Sequence, residues 1–184
     1  MPNIKFSFIL FLSLFWVGCT KHAESNDRFY MPAEFEEQEA IWLNWSPFSP
    51  YQQPFGDLVA ALAPITPLQI IYSEQKDSLI ALLKRYEIDT SHIQFHQMPD
   101  SRLWVRDHGA TFLIDGKGKK AVLDFGWTFY GYRDLLEKRY PNQADTVAAY
   151  YQKALGETGQ IDRLMGKAGR LPVIKSKVNL EGGS

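Results

Sequence analysis

Apolar residues along the chain fall into short runs and into longer stretches with helical periodicity. Runs rich in Trp, Ile, Leu and Phe and bounded by Pro, Gly or Ser are typical of strands, whereas apolar residues three and four positions apart predict helices. The pattern predicts strands at residues 40–45, 68–72, 92–98, 110–114, 121–125 and 171–175. It predicts helices at residues 57–63, 73–86 and 133–156, with a break at Pro141.

Local signals refine these elements. Pro50 and Gly56 predict a loop or the approach to a helix before residue 57, and Ser73 is expected to cap the second helix. Asp115-Gly116-Lys117-Gly118-Lys119 predicts a tight turn, so the flanking strands form a hairpin. Helices between the earlier strands indicate crossovers instead. The expected fold class is therefore α/β or α+β, and no G-x-G-x-x-G segment follows the first strand to indicate a Rossmann domain.

Residues 1–19 resemble an export signal. Lys5 precedes an apolar run from Phe6 to Val17, and the small Gly18 stands directly before Cys19. The run is short for a transmembrane helix. A cysteine in this position is typical of bacterial lipoproteins, in which it becomes the lipid-bearing N-terminus, and residues 20–29 then form a polar tether. We expect an exported protein that meets the membrane only through this anchor; an ordinary cleaved signal with no role for Cys19 is the alternative.

Composition excludes several classes of protein. Hydrophobic residues make up 45% and charged residues 22%, which is typical of a globular chain. Lys plus Arg is 20 against 21 for Asp plus Glu, so the net charge of -1 gives no electrostatic case for nucleic acid. The single cysteine allows no internal disulfide, and the four histidines lack the spacing of a metal site.

The segment Leu103–Gly109 carries the strongest candidate chemistry, because it places an indole, a guanidinium and a carboxylate side by side. In a straight strand Trp104 and Asp107 would point to opposite faces, so they can meet at one ligand only where the backbone bends. A carboxylate beside an indole suits a flat cation, since the carboxylate accepts two parallel N–H bonds and the ring face attracts the charge. The alternative is a strand-end charge pair of Arg106 and Asp107 beside a core tryptophan.

Segments spread along the chain resemble, in order, the agmatine deiminases and the related Porphyromonas-type peptidylarginine deiminases. Trp104-Val105-Arg106-Asp107-His108-Gly109 is similar to the family motif Trp-x-Arg-Asp-x-Gly. The other similar segments are residues 31–43, the aromatic residues 124–131 and Leu180-Glu181-Gly182-Gly183-Ser184. The order and spacing agree over residues 30–184, which are expected to form the folded domain.

This resemblance implies part of a five-bladed α/β-propeller of the guanidine-modifying (pentein) superfamily. It implies hydrolysis of a guanidinium to a ureido group and ammonia, without a metal or organic cofactor. The substrate would be agmatine, converted to N-carbamoylputrescine in putrescine biosynthesis, or peptidyl-arginine. Asp107 would bind the guanidinium, Trp104 would line the same pocket and Glu181 would help to shape it. Arg106 would be structural and paired within the motif.

The sequence departs from the family pattern at the catalytic residues. Family members use a cysteine nucleophile near the C-terminus and a His-x-Asp pair just after the Glu-Gly-Gly motif. Cys19 stands in the export signal, and the sequence given stops at Ser184. The expectation is therefore the N-terminal half of a deiminase, with the substrate-side aspartate but not the nucleophile or the general acid-base. A non-catalytic exported lipoprotein and an unstable gene fragment are the alternatives. Arg102 is expected to disfavour a second cation on the substrate, such as the agmatine amine.

Overall fold

A computed structural model describes residues 28–99 and 102–181, and the predicted signal with Cys19 and the final Gly182-Gly183-Ser184 lie outside the described residues. None of the helices in the described ranges is long and apolar enough to cross a membrane. In chain order the elements are β1 (Ile41–Asn44), α1 (Ser49–Leu62), β2 (Leu68–Tyr72), α2 (Lys76–Arg85), β3 (Ile93–Gln97), α3 (Val105–His108), β4 (Thr111–Ile114), β5 (Lys120–Gly126), a 3-10 turn (Phe129–Gly131), α4 (Arg133–Arg139), α5 (Ala144–Thr158), α6 (Ile161–Ala168) and β6 (Val173–Asn179).

The first sheet is parallel throughout and has the strand order β1-β2-β3. Leu68 of β2 lies in register with Ile41 of β1 on one side and with Ile93 of β3 on the other. Parallel neighbours require crossover connections, which α1 and α2 supply. The crossovers expected from the sequence are therefore confirmed, and the fold class is α/β.

The central strand β2 is buried on both faces, as parallel strands beneath helices usually are. Leu68 and Ile70 belong to a core that also contains Leu79 and Leu83 of α2, all of them fully buried. Ile71, one residue further along, belongs to a different buried cluster. Because successive strand residues point to opposite faces, β2 contributes to two cores at once.

The second sheet mixes the two kinds of pairing. β5 pairs antiparallel with β4 and parallel with β6. At the turn between β4 and β5, Asp115 Oδ1 accepts hydrogen bonds from the backbone N–H groups of Lys117 and Lys119, both at 2.8 Å. Gly118 has a φ of 79°, a left-handed conformation that glycine adopts without steric cost. The predicted hairpin is confirmed.

Helix α6 joins the two sheets. Ile161 and Met165 of this helix pack with Ile71 of β2 in one buried cluster. On the side of the second sheet, a Cβ at Gly166 would lie 2.9 Å from Val173 Cγ2. The sequence pattern did not predict α6, because a glycine in so short a segment lowers helix propensity. The close approach to β6 is the reason that glycine stands there.

The predicted start of α1 is wrong by two turns. The helix begins at Ser49, with Pro50 in its first turn. The N–H groups of a first turn have no partner within the helix, so the N–H that proline lacks costs no hydrogen bond there. Gly56, read from the sequence as a loop residue, lies inside the helix. A Cβ there would be 2.5 Å from the ring of Tyr86, so this glycine allows α1 to approach the end of α2.

Other element bounds also shift. Helix α2 begins at Lys76 with Gln75 as its N-cap, and not with Ser73. Gln75 takes a left-handed φ of 56°, so the chain uses the residues after β2 to turn before the helix starts. Strand β6 extends to Asn179, beyond the predicted end at residue 175. The break expected at Pro141 is confirmed, since it falls between α4 and α5.

A buried pair of carboxyl groups, Asp124 of β5 and Asp162 in the first turn of α6, fixes the end of β5. The two residues are 8% and 5% exposed. The register of β5 against β6 shifts between Asp124 and Gly126, and the N–H of Phe125 at this irregularity donates to Asp162 Oδ2 at 3.1 Å. Burial, with the neighbouring Asp124 carboxylate as a further cause, raises the pKa of Asp162 to about 7. The pair therefore retains a proton in mildly acidic solution.

This shared proton predicts that the chain is more stable in mild acid than in mild base. The folded state keeps a proton on Asp162 that the unfolded chain releases near its ordinary pKa of 3.8. The contribution is therefore complete below that value and is lost as the pH rises through about 7. Thermal melts followed by circular dichroism across this range measure the effect. In Asp162→Asn, the melting temperature is expected to lose the part of its pH dependence that Asp162 causes. An equal pH dependence in both proteins would contradict the assignment.

Candidate functional site

Asp107 lies on a single helical turn, α3, between the two sheets. The Asp107 N–H donates to the carbonyl of Trp104 at 3.0 Å, and the Gly109 N–H donates to that of Val105 at 2.7 Å. A Cβ at Gly109 would lie 2.3 Å from the Val105 carbonyl oxygen, so the chain can leave this turn only through a glycine. The bend that the sequence required between Trp104 and Asp107 is thus present, as a helical turn.

The carboxylate of Asp107 contacts a tyrosine from a distant part of the chain. The hydroxyl of Tyr130 donates a hydrogen bond to Asp107 Oδ2. The ring of Tyr130 meets Trp127 edge to face, with their centroids 5.0 Å apart. His108, the neighbour of Asp107, is buried and packs against the other side of this group, with its ring 5.7 Å from that of Trp127. Aromatic side chains therefore surround one side of the carboxylate.

Glu181 holds the loop that carries Tyr130. Its Oε1 accepts hydrogen bonds from the backbone N–H of Thr128 at 2.8 Å, from the Thr128 hydroxyl at 2.9 Å and from the backbone N–H of Tyr130 at 2.9 Å. Phe129 and Tyr130 both have a φ of 54°, which non-glycine residues rarely adopt. The Tyr151 hydroxyl also donates to the Thr128 carbonyl, at 2.6 Å. These bonds to charged and backbone groups keep the loop in its unusual conformation.

Tyr130 and Arg106 make two different kinds of polar contact near Asp107. Burial, together with the hydrogen bond to Asp107, raises the pKa of Tyr130, so its phenol stays neutral and donates a hydrogen bond to the carboxylate. Arg106 pairs with Glu34 at 2.7 Å, and both side chains are largely exposed. Such a surface pair contributes about 0–1 kcal/mol. Arg106 therefore makes a weak surface pair with Glu34 of the N-terminal segment, whereas the resemblance implied a partner within the motif.

An open cleft borders this site. Its lining includes Asp107, His108, Thr111, Trp127, Asp162 and Leu180. Within residues 28–99 and 102–181, no group of three or more His, Cys, Asp or Glu residues could hold a metal ion. The arrangement offers one accessible carboxylate against aromatic rings, which is suited to binding a flat organic cation.

The predicted site residues occupy different parts of this arrangement. Asp107 is at its centre, and Glu181 reaches it indirectly, through the Tyr130 loop. Trp104 precedes α3 and is 60% exposed. Arg102, expected to act as a nearby cation, stacks its guanidinium over the ring of Phe129 at 4.6 Å. Cys19 lies outside the described residues.

Sequence reasoning missed Tyr130 as a partner of Asp107. The residue stands in an aromatic segment, residues 124–132, in which several rings offer equivalent candidates. Nothing local marks one of these hydroxyls as the partner of a carboxylate 23 positions away. The available signal was Gly131, whose position suggests a tight turn and hence a specific orientation of the residue before it.

Comparison with known proteins agrees with this fold. A structure of the agmatine deiminase of Enterococcus faecalis superimposes with a TM-score of 0.63 at 23% identity, covering 85% of this chain and 40% of that one. A cysteine-to-serine variant of C. jejuni agmatine deiminase, with substrate bound, gives a TM-score of 0.61 at 21% identity over 85% and 42%. The agmatine deiminase of Pseudomonas putida is 31% identical over 110 residues, or 57% of this chain and 30% of its own length.

The described residues form an α/β protein with the fold of the agmatine deiminase structures. More closely, the chain belongs to the Porphyromonas-type peptidyl-arginine deiminase family, whose model matches residues 30–184. The family resemblance read from the motifs is confirmed. The chain spans between 30% and 43% of the length of the curated relatives that it matches.

The bonds of Glu181 predict a local role for this residue in ordering the loop around Tyr130. Glu181→Ala is expected to weaken the loop by about 1–3 kcal/mol, because backbone donors lose a charged acceptor. Hydrogen–deuterium exchange at the amides of Thr128 and Tyr130 is expected to accelerate. Glu157→Ala, which removes an exposed carboxylate paired with Lys153 on α5, is the control. Unchanged exchange in Glu181→Ala would contradict the role.

Proposed function

We propose that this chain binds the guanidinium group of agmatine or of an arginine residue at Asp107. It would thereby supply the substrate side of a guanidine deiminase that forms a ureido group and ammonia. The observation that carries the proposal is the carboxylate of Asp107, set beside aromatic rings at the edge of an open cleft. Membership of the deiminase family gives this carboxylate a chemical purpose.

The reaction explains why a carboxylate and aromatic walls are needed. A guanidinium is stabilised by resonance and resists attack at its central carbon. A carboxylate keeps the group charged and fixes its plane by paired N–H bonds, while an indole such as that of Trp104 covers its face. A thiolate then adds to the carbon, a histidine protonates the departing ammonia, and water releases the ureido product. In this proposal Asp107 belongs to the binding side of that reaction, and Cys19, which stands in the predicted export signal, is not its nucleophile.

We also propose that the two sheets are consecutive blades of a five-bladed α/β-propeller. Each sheet contains three strands and is joined to helices. The chain covers 40% to 43% of the lengths of the deiminase structures that it resembles, close to the two fifths expected for two blades. Glu181 stands two residues after the end of β6, which puts the end of the second blade next to the loop of Tyr130.

Export and lipid attachment at Cys19 form a separate part of the proposal. The support is the apolar run Phe6–Val17, followed by Gly18 and the lone cysteine, with a polar segment up to residue 29. A membrane-anchored protein outside the cytoplasm would meet guanidino compounds or peptides from the surroundings. In this proposal the folded part from residue 30 onwards contacts no lipid.

Asp107→Asn tests the binding proposal most directly. Titration calorimetry with agmatine is expected to show binding to the unmodified chain and a loss of about 10-fold or more in the variant, because a hydrogen bond to a charged group is removed. Putrescine, which carries an amine in place of the guanidinium, is the ligand control. Asp134→Asn, which alters an exposed carboxylate on α4, is the protein control.

The same titration with an arginine-containing peptide and its lysine counterpart separates the two substrate classes. Preference for agmatine supports a small guanidino substrate, and preference for the arginine peptide supports a peptidyl substrate. If neither guanidino ligand binds better than its amine control, or if Asp107→Asn binds as well as the unmodified chain, the proposed function is wrong.

Lipid attachment predicts a dependence on one sulfur atom. In a bacterial host, metabolic labelling with a fatty acid is expected to mark the mature chain, and Cys19→Ser is expected to abolish both the label and the membrane association. This follows because only the thiol of Cys19 is available for a thioether bond. Equal labelling of Cys19→Ser would refute the anchor and leave an ordinary signal as the explanation.

A further inference from the structure

The carboxylate of Asp107 would have little to orient it if the turn α3 acted alone. That turn contains four residues, so it fixes the backbone of Asp107 but leaves the carboxylate free to rotate about its own bond. A guanidinium that binds through two parallel N–H bonds requires both carboxylate oxygens in one defined plane. Unless another group holds that plane before the ligand arrives, the carboxylate must be ordered on binding, and the entropy lost in doing so reduces the affinity.

The hydroxyl of Tyr130 is in contact with this carboxylate, at Oδ2 of Asp107. An ionised carboxylate has about four lone-pair sites. One bond from a phenol therefore leaves sites on both oxygens for the N–H groups of a ligand. The phenol can orient the carboxylate without occupying the whole of it.

Tyr130 is itself held by its backbone and by its ring. Its N–H donates to Glu181 at 2.9 Å, and its ring packs against Trp127 and against Tyr132, with centroids 5.0 and 5.3 Å away. Both Tyr130 and the preceding Phe129 have left-handed φ angles, a conformation that is strained for residues other than glycine. The fold maintains a strained loop whose effect is to bring one hydroxyl to Asp107.

We infer that Tyr130 is a positioning residue of the guanidinium site, which fixes the plane of the Asp107 carboxylate, and that Glu181 acts as the anchor of its loop. This inference rests on the proposed function and deepens it. Tyr130 does not touch the reacting carbon in this assignment. Its contribution is made through Asp107, before the guanidinium binds.

The protonation state of Tyr130 agrees with this role. Burial and the adjacent carboxylate both raise its pKa, so the phenol remains a neutral hydrogen-bond donor throughout the neutral range. Tyr130 is 39% exposed, so it borders solvent. Its hydroxyl could have bonded to water, and its bond to Asp107 is therefore not forced by burial in the core.

Tyr130→Phe, which removes one oxygen and keeps the ring, is the test. Tyr132→Phe is the matched control, since Tyr132 is similarly exposed and, like Tyr130, packs against Phe129. With agmatine in titration calorimetry, Tyr130→Phe is expected to raise the dissociation constant about 10-fold, as for the loss of a hydrogen bond to a charged group. Tyr132→Phe is expected to leave it unchanged. Affinity in Tyr130→Phe that equals or exceeds that of the unmodified chain would overturn the inference.

A second readout separates positioning from a general effect on stability. Spectrophotometric titration of the phenols is expected to reveal a raised pKa at Tyr86 and at Tyr130, with the larger shift at Tyr130. The signal with the larger shift should disappear in Tyr130→Phe and move towards the ordinary value in Asp107→Asn. If the raised pKa of Tyr130 is the same in Asp107→Asn as in the unmodified chain, the side chains of Tyr130 and Asp107 are not in contact, and the inference is wrong.

Failure of this inference and failure of the proposed function have different signatures. If the unmodified chain binds no guanidino ligand, the proposed function fails, and the assignment of Tyr130 to ligand positioning fails with it. If the unmodified chain binds agmatine and Asp107→Asn does not, but Tyr130→Phe binds normally, the proposed function stands and only the inference is overturned.

Discussion

The hydrogen bond between Asp162 and the end of β5 is the interaction on which the position of the candidate site depends. Strand β5 must leave its sheet for the next segment to reach α3, and the register shift between Asp124 and Gly126 marks that departure. The N–H of Phe125 loses its regular ladder position there and finds the Asp162 carboxylate instead. Irregularities of this kind bend a strand and redirect the side chains that follow it. Trp127 and Tyr130 thereby come to Asp107.

The site depends on segments that are far apart in sequence and meet only at their ends. Asp107 comes from the turn between the sheets, Tyr130 from the loop after β5, and Glu181 from the end of β6. A hydrogen bond joins Tyr130 to Asp107, and Glu181 accepts a hydrogen bond from the backbone of the loop that carries Tyr130. Because each segment is short and partly exposed, none would keep its conformation without the others. Three of the four segments that resemble the deiminase family are therefore parts of one structure, which explains why they occur together.

The glycines and the buried carboxyls show how closely the two sheets are coupled. Gly166 lets α6 lie against β6, and Gly109 lets the chain pass Val105 on its way into β4. Helix α6 also packs against the back of the first sheet through Ile161 and Met165. A ligand site placed at this junction is supported from both sides. Sites built on such rigid elements hold their geometry more accurately than sites on free loops.

The sequence alone determined the features that depend on neighbouring residues. Local composition and backbone preference indicated the buried strand β2, the Asp115 turn and the break at Pro141, and the motif around Asp107 predicted a cation site. Tertiary structure alone decided helix α6, the pairing of Arg106 with Glu34 and the contact of Tyr130 with Asp107. The partners in those two contacts are separated by 72 and 23 positions. Local patterns carry no information about such pairs, because their geometry exists only after the sheets have packed together.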